Sequence, residues 1–236
     1  MKQVFDTTEN AETENGQLVA TAPRDLSLPK SLPQHEGLEG DFDMSDLQHP
    51  KFQLVGKTSK LVSKTVPAGS FVLNKTLVVG DGETPVLVSP LAMTKEYWQK
   101  MPEGSTERPA VFKNIRDVRE FGGSVEYGSP DIPFQNAARV LALVRSEREL
   151  PYFIYQDDGK FHALVLWFIA GTAYTSAAKQ FVTDFVNRPK GAPTKFYEVT
   201  SSIQSNAKGS WYLPNVRLTK DEVSENLLNQ VKALLT

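Results

Sequence analysis

The chain contains no cysteine. That excludes disulfides, thiolate zinc sites and cysteine nucleophiles, and it fits a reducing cytoplasm. No apolar run reaches the roughly 18 to 20 residues of a membrane span; the longest, Ala163 to Ala170, is strand-sized. Met1-Lys2-Gln3 leads straight into acidic sequence with no apolar stretch, so no secretory signal is expected. The composition reads as a soluble cytoplasmic protein with no membrane partner. Histidine is scarce: His35 and His49 precede residue 50, and His162 lies alone on an apolar strand, where a structural role is the simpler reading. No Gly-x-Ser-x-Gly elbow, Walker lysine or Gly-x-Gly-x-x-Gly fingerprint is present. Asp41, Asp43 and Asp46 resemble a calcium loop but fail it, because Asp46 stands where glycine is required and Phe52 where the bidentate glutamate belongs. Asp157 and Asp158 adjoin Gly159 and are explained as turn residues. The expectation is a protein that is not an enzyme, with no metal and no cofactor.

Charge is divided unevenly. Residues 1–49 hold ten acidic and three basic side chains, whereas the remaining 187 hold 18 acidic and 23 basic. The first segment, with scattered apolar residues and no sustained period, reads as a disordered acidic tail. Residues 50–236 are long enough for one globular domain with a sizeable core. An acidic tail on a basic body points toward polyanion binding.

Within the body, Phe52–Val55, Lys60–Lys64 and Phe71–Val79 are rich in β-formers. Gly80-Asp81-Gly82 reads as a turn and Val86–Ser89 as a short strand, followed by one helical turn over Thr94–Lys100. Asn114 is placed to cap a short helix that turns Ile115, Val118 and Phe121 inward and stops at Gly122. Ala138–Val144 reads as a buried strand. Tyr152–Gln156 and Lys160–Ile169 form a hairpin about Asp157-Asp158-Gly159, where an Asp-Gly pair suits positive φ. Trp167 and Phe168 both read as core. A helix capped by Thr172 follows, with Ala173, Tyr174, Ala177, Ala178, Phe181, Val182 and Phe185 on one stripe. Lys195–Ile203 and Ser210–Leu218 read as a second antiparallel pair. Thr219 and Glu222 form a capping box for a final helix, stapled by Leu218 on Val223. The fold class is therefore α+β: a mainly antiparallel sheet or OB-like barrel with two or three packed helices.

Two stretches carry the functional signal. Between residues 47 and 80 there is no acidic side chain, while Lys51, Lys57, Lys60, Lys64 and Lys75 all occur. Arg188 to Arg217 holds five basic residues and one acid, interleaved with Phe196, Tyr197, Trp211 and Tyr212. Cations neutralise phosphates and flat rings stack on unpaired bases, so this pattern suits single-stranded nucleic acid. The candidate set is Lys57, Lys60, Lys64, Lys75, Lys195 and Lys208 for phosphates, with Trp98, Tyr197 or Tyr212 for bases. Alternation along a strand turns about one ring of each adjacent pair inward whatever the function. The tail would compete for the basic surface and recruit replication proteins. The rival reading is a structural or assembly protein that self-associates and has no affinity for nucleic acid. A nucleic-acid-processing enzyme would need clustered carboxylates and metal dependence.

The runs Phe52-Gln-Leu-Val-Gly-Lys-Thr-Ser-Lys-Leu-Val and Pro67-Ala-Gly-Ser-Phe-Val-Leu-Asn resemble sequences in poorly characterised proteins of tailed bacteriophages. So do Leu166-Trp-Phe-Ile-Ala-Gly-Thr-Ala-Tyr-Thr-Ser-Ala-Ala-Lys and Trp211-Tyr-Leu-Pro. The resemblance covers roughly residues 50–218. It implies a phage or phage-like origin and a small replication protein with an elaborated OB-type barrel, acting in the cytoplasm of a bacterial host.

Overall fold

The computed structural model describes residues 48–102, 105–207 and 209–235. The acidic tail, but for its last two residues, and Lys208 lie outside the described residues. Eleven strands form one curled, mostly antiparallel sheet: β1 (Lys51–Leu54), β2 (Phe71–Leu73), β3 (Leu77–Gly80), β4 (Val86–Gln99), β5 (Val111–Phe112), β6 (Gly123–Ser124), β7 (Ile132–Ser146), β8 (Tyr155–Asp157), β9 (Lys160–Ala170), β10 (Lys195–Asn206) and β11 (Gly209–Glu222). The main path runs β11-β10-β4-β7-β9-β1-β2-β3, with β5 on β4, β6 on β7 and β8 on β9. Among the described residues, only β1 with β9 and β6 with β7 are parallel. The helices are α1 (Ile115–Glu120), α2 (Lys179–Asn187) and α3 (Glu225–Leu235); a five-residue π-helical stretch, Tyr174–Ala178, leads into α2.

The sheet has two apolar faces. Its inner face gathers Phe71 and Leu73 of β2, Val140 and Val144 of β7, Val165 and Trp167 of β9, and Tyr197 and Val199 of β10 into one buried cluster. Strands from both ends of the sheet meet there, which is what curls it. Tyr174, Ala177, Ala178 and Phe181 fill the hollow from the helix side. Phe71, Phe52, Trp167, Phe181 and Tyr197 follow one another with centroids 4.9 to 6.0 Å apart, mostly edge to face. Each such pair adds about 0.5–1.5 kcal/mol beyond the area it buries. Ser201 holds the curl shut by donating its N–H to Gly82 O and its hydroxyl to Gly69 O, each at 2.7 Å. The outer face is covered over one half, where Val223, Leu227 and Val231 pack on Leu143, Tyr155, Leu164 and Phe196.

Several local expectations hold. Asn114 Oδ1 accepts the Asp117 N–H at 2.9 Å, Val118 is buried, and Gly122 ends the turn at φ +80°; Phe121, expected inward, is instead 46% exposed, lying at the rim against Phe112 and Phe134. Asp158 and Gly159 take φ +48° and +70° between β8 and β9, which is the two-residue turn that the Asp-Gly pair predicts.

Others need correction. Thr94–Lys100 is no helical turn: it continues β4, because Thr94 through Gln99 pair residue by residue with Arg139 through Phe134 on β7. Lys60–Lys64 is not a strand but a run of turns between β1 and β2. Ala138–Val144 is the middle of a 15-residue strand whose Arg139 reaches solvent. Phe168 is only half-buried, since it points to the outer face while Trp167 points inward. Thr172 makes no cap; the helix is entered from Gly171 at φ +62°, whose carbonyl accepts the Tyr174 N–H. Val182 leaves the expected stripe and is exposed. Thr219 and Glu222 belong to β11, the Thr219 hydroxyl donates to Phe196 O at 2.7 Å, and Leu218 is exposed. The final helix instead starts after Ser224, whose hydroxyl accepts the Leu227 N–H at 3.0 Å.

Candidate nucleic-acid interface

The predicted residues separate into groups. Lys57, Lys60 and Lys64 are all exposed on the acid-free β1–β2 connection. Val55 closes the neck of that connection, its carbonyl accepting the Gly69 N–H and its own N–H donating to Ser70 O. Tyr212 joins them. Its ring covers Gly69 so closely that an added Cβ there would sit 2.6 Å from Tyr212 Cε1, and Gly69 also has φ +87°. Tyr212 rides on an arm of the β10–β11 ladder, which runs on from Val199 to Asn206 after the last pair with β4. Neighbouring Trp211 is half-buried, with its Nε1 enclosed and without a hydrogen-bond partner.

Lys75 lies elsewhere. It occupies the β2–β3 turn with φ +71°, next to Asn74 at φ +45°. Asn74 ties this turn to the start of β1: its Oδ1 and N–H bond the Lys51 N–H and carbonyl, both at 2.9 Å. Lys75 is thus grouped with Lys51, at the opposite end of β1 from Lys57. Lys195 is half-buried at the start of β10, where its carbonyl accepts the Ser89 hydroxyl. At about 3.3 Å per residue, roughly 26 Å of strand separates it from Ile203, the residue paired with Tyr212.

Tyr197 is a core residue. It is 0% exposed, its ring meets Phe181 at 4.9 Å, and its hydroxyl donates to Asp184 Oδ2 at 2.9 Å. Burial first, then the Asp184 carboxylate, holds the phenol far above its ordinary range. The ring therefore leaves the set of candidate base contacts. Its neighbour Phe196 is buried too, on the other face, because the sheet is covered on both sides at this point and a register shift separates Lys195 from Tyr197.

Trp98 has company that the sequence reading missed. On the outer face it packs against Phe168 with centroids 5.8 Å apart, and its Nε1 donates to Glu96 Oε2 at 2.8 Å. Arg139 Nε lies 3.3 Å from Glu96 Oε1, and Lys51 Nζ lies 6.0 Å from the centre of the Phe168 ring. Arg139 is opposite Phe168 on β9 and Thr94 on β4, so these side chains share one face. Strict alternation through Thr94-Lys95-Glu96-Tyr97-Trp98 was the available signal, since it places Trp98 opposite buried Tyr97. The expected helical turn hid it.

His162 is 3% exposed and lies under α3, its ring 5.9 Å from Phe196. Burial, then nearby Arg145, lowers its pKa, with Asp157 opposing. No group of three or more His, Asp or Glu side chains among the described residues is placed to hold a metal ion. Nor does any described helix have the length and apolar character to cross a membrane. Compared with family models, curated proteins and solved structures, the chain matches none.

Proposed function

We propose that the chain binds single-stranded DNA, without catalysis, as a replication protein of phage origin acting in the bacterial cytoplasm. The observation that carries this reading is the β1–β2 connection, where three lysines are exposed without an acidic neighbour in sequence and the Tyr212 ring is held at its neck. In this reading the curled sheet does what an OB-type barrel does, offering a sheet face and flanking loops to an extended strand. Lys51, Lys57, Lys60, Lys64 and Lys75 contact phosphates, Tyr212 and Trp98 contact bases, and the acidic residues 1–49 compete for the same cations and recruit partner proteins. Fluorescence anisotropy of a labelled single-stranded oligonucleotide, measured across salt concentrations, tests it. Replacing Lys57, Lys60 and Lys64 by Gln should lower the slope of log K against log salt by about one unit per lysine. Binding by the parent protein that ignores salt would contradict the phosphate assignment.

A second reading rests on the outer surface. Ile154 and Val186 are each 76% exposed and Ile203 is 52% exposed, apolar side chains that contacts between copies of the chain would cover. A stable homo-oligomer in light scattering with no affinity for any oligonucleotide would select it.

A further inference from the structure

The outer face of the sheet is covered by α3 over one half only. Trp98 and Phe168, on the other half, belong to none of the four clusters of buried side chains. They are held on extended strands and pack on each other with ring planes tilted by 43°, so together they present two adjoining aromatic facets with little conformational entropy left to lose. What surrounds the platform decides its ligand. Lys51 stands over the Phe168 ring, Arg139 keeps 41% of its side chain in solvent, and Lys75 is on the turn bonded to Lys51. The Glu96 carboxylate beside the rings has only 8% of its side chain exposed and is engaged by both Arg139 and the Trp98 indole. The surface is therefore aromatic in the middle and cationic at the rim. That is the complement of an unpaired base flanked by phosphates, and not of an apolar helix.

Resting on the single-strand reading above, we infer that Trp98 and Phe168 form the base-stacking site of this protein. A strand of nucleic acid crosses the uncovered half of the outer face from β4 over β7 to β9, with Lys51 and Arg139 on its phosphates. Glu96 is a positioning residue. By accepting the indole N–H and pairing Arg139, it fixes the plane of the Trp98 ring and the reach of the guanidinium together. Binding thus engages the sheet face itself, and the β1–β2 lysines guide the strand from the side.

The test uses the full chain and a labelled oligothymidylate. Trp98→Leu and Phe168→Leu keep an apolar side chain but remove the flat ring, and each should weaken binding by roughly fivefold to a hundredfold. Trp98→Phe should retain most of the affinity yet lose the quenching of tryptophan emission that the oligonucleotide causes in the parent protein. Glu96→Leu should shift the emission of free Trp98 and weaken binding, whereas Glu96→Gln, which keeps an acceptor, should do so less. A parent protein that binds no oligonucleotide overturns both this site and the reading beneath it. A parent that binds while both leucine variants bind equally well, or a Trp98→Phe variant whose quenching persists, overturns the site alone.

Discussion

The two halves of the outer sheet face carry similar chemistry and meet different fates. Under α3, Leu143, Leu164, Tyr155 and Phe196 are sealed by Val223, Leu227 and Val231. A few residues along the same strands, Trp98 and Phe168 stay half-open, with Arg139 and Lys51 beside them. The covered half has a buried titratable ring, His162, kept neutral by burial and tucked against Phe196. The open half has the Glu96 carboxylate engaged by Arg139 and the Trp98 indole. One half therefore holds the fold together, and the other is free to meet a ligand.

The sharpest way to break this contrast is Leu227→Ala. Leu227 is 1% exposed, and the truncation should cost about 2–5 kcal/mol in urea unfolding while leaving intrinsic nucleic-acid affinity in place. Trp98→Leu should do the reverse, with a stability loss of less than about 1.5 kcal/mol and its main effect on binding. Equal stability losses at the two positions would erase the distinction. Next in size is Tyr197→Phe on the inner face. Removing a buried hydroxyl that donates to Asp184 should cost about 1–2 kcal/mol, with no change in binding, because the ring belongs to the core.

Acid should separate the halves as well. Burial lowers the pKa of His162 in the folded state, so below its ordinary value near 6.5 the unfolded chain takes up more protons. The stabilisation from keeping it neutral is present above that pH and fades as pH falls through it. Amide protection factors, corrected for the intrinsic exchange rate at each pH, should therefore fall first along α3 and β8 between neutral and mildly acid pH, and His162→Gln should flatten that dependence. Smallest of all, Arg139→Gln should change stability by no more than about 1 kcal/mol, since its guanidinium is two-fifths exposed. A larger loss would make the Arg139–Glu96 pair structural and weaken its assignment to a phosphate.

Legibility followed the range of each interaction. The Asn114 cap and the Asp158-Gly159 turn were readable because each depends on residues within three or four positions. The Thr219 capping box had the right letters in the wrong place. Its hydroxyl found Phe196 O across the β10–β11 ladder, and Ser224 took over the start of α3. Thr94–Lys100 has a mixed local preference, and six consecutive pairings with β7 decided for strand. The lysine set was visible as composition, but not the separation of Lys57, Lys60 and Lys64 from Lys75 and Lys195, which follows from which strand ends share an edge.

By itself the sequence determined the class of the fold, its turns and the identity of most buried apolar residues, because period, turn chemistry and hydrophobicity act locally. It also set the charge asymmetry. Only the tertiary structure decided that Tyr197 lies in the core, that Phe168 faces outward and that Trp98 stands beside it. Those outcomes depend on which face of a strand the rest of the chain happens to cover. A strand presents two faces by construction, and only its distant neighbours determine which one is left open.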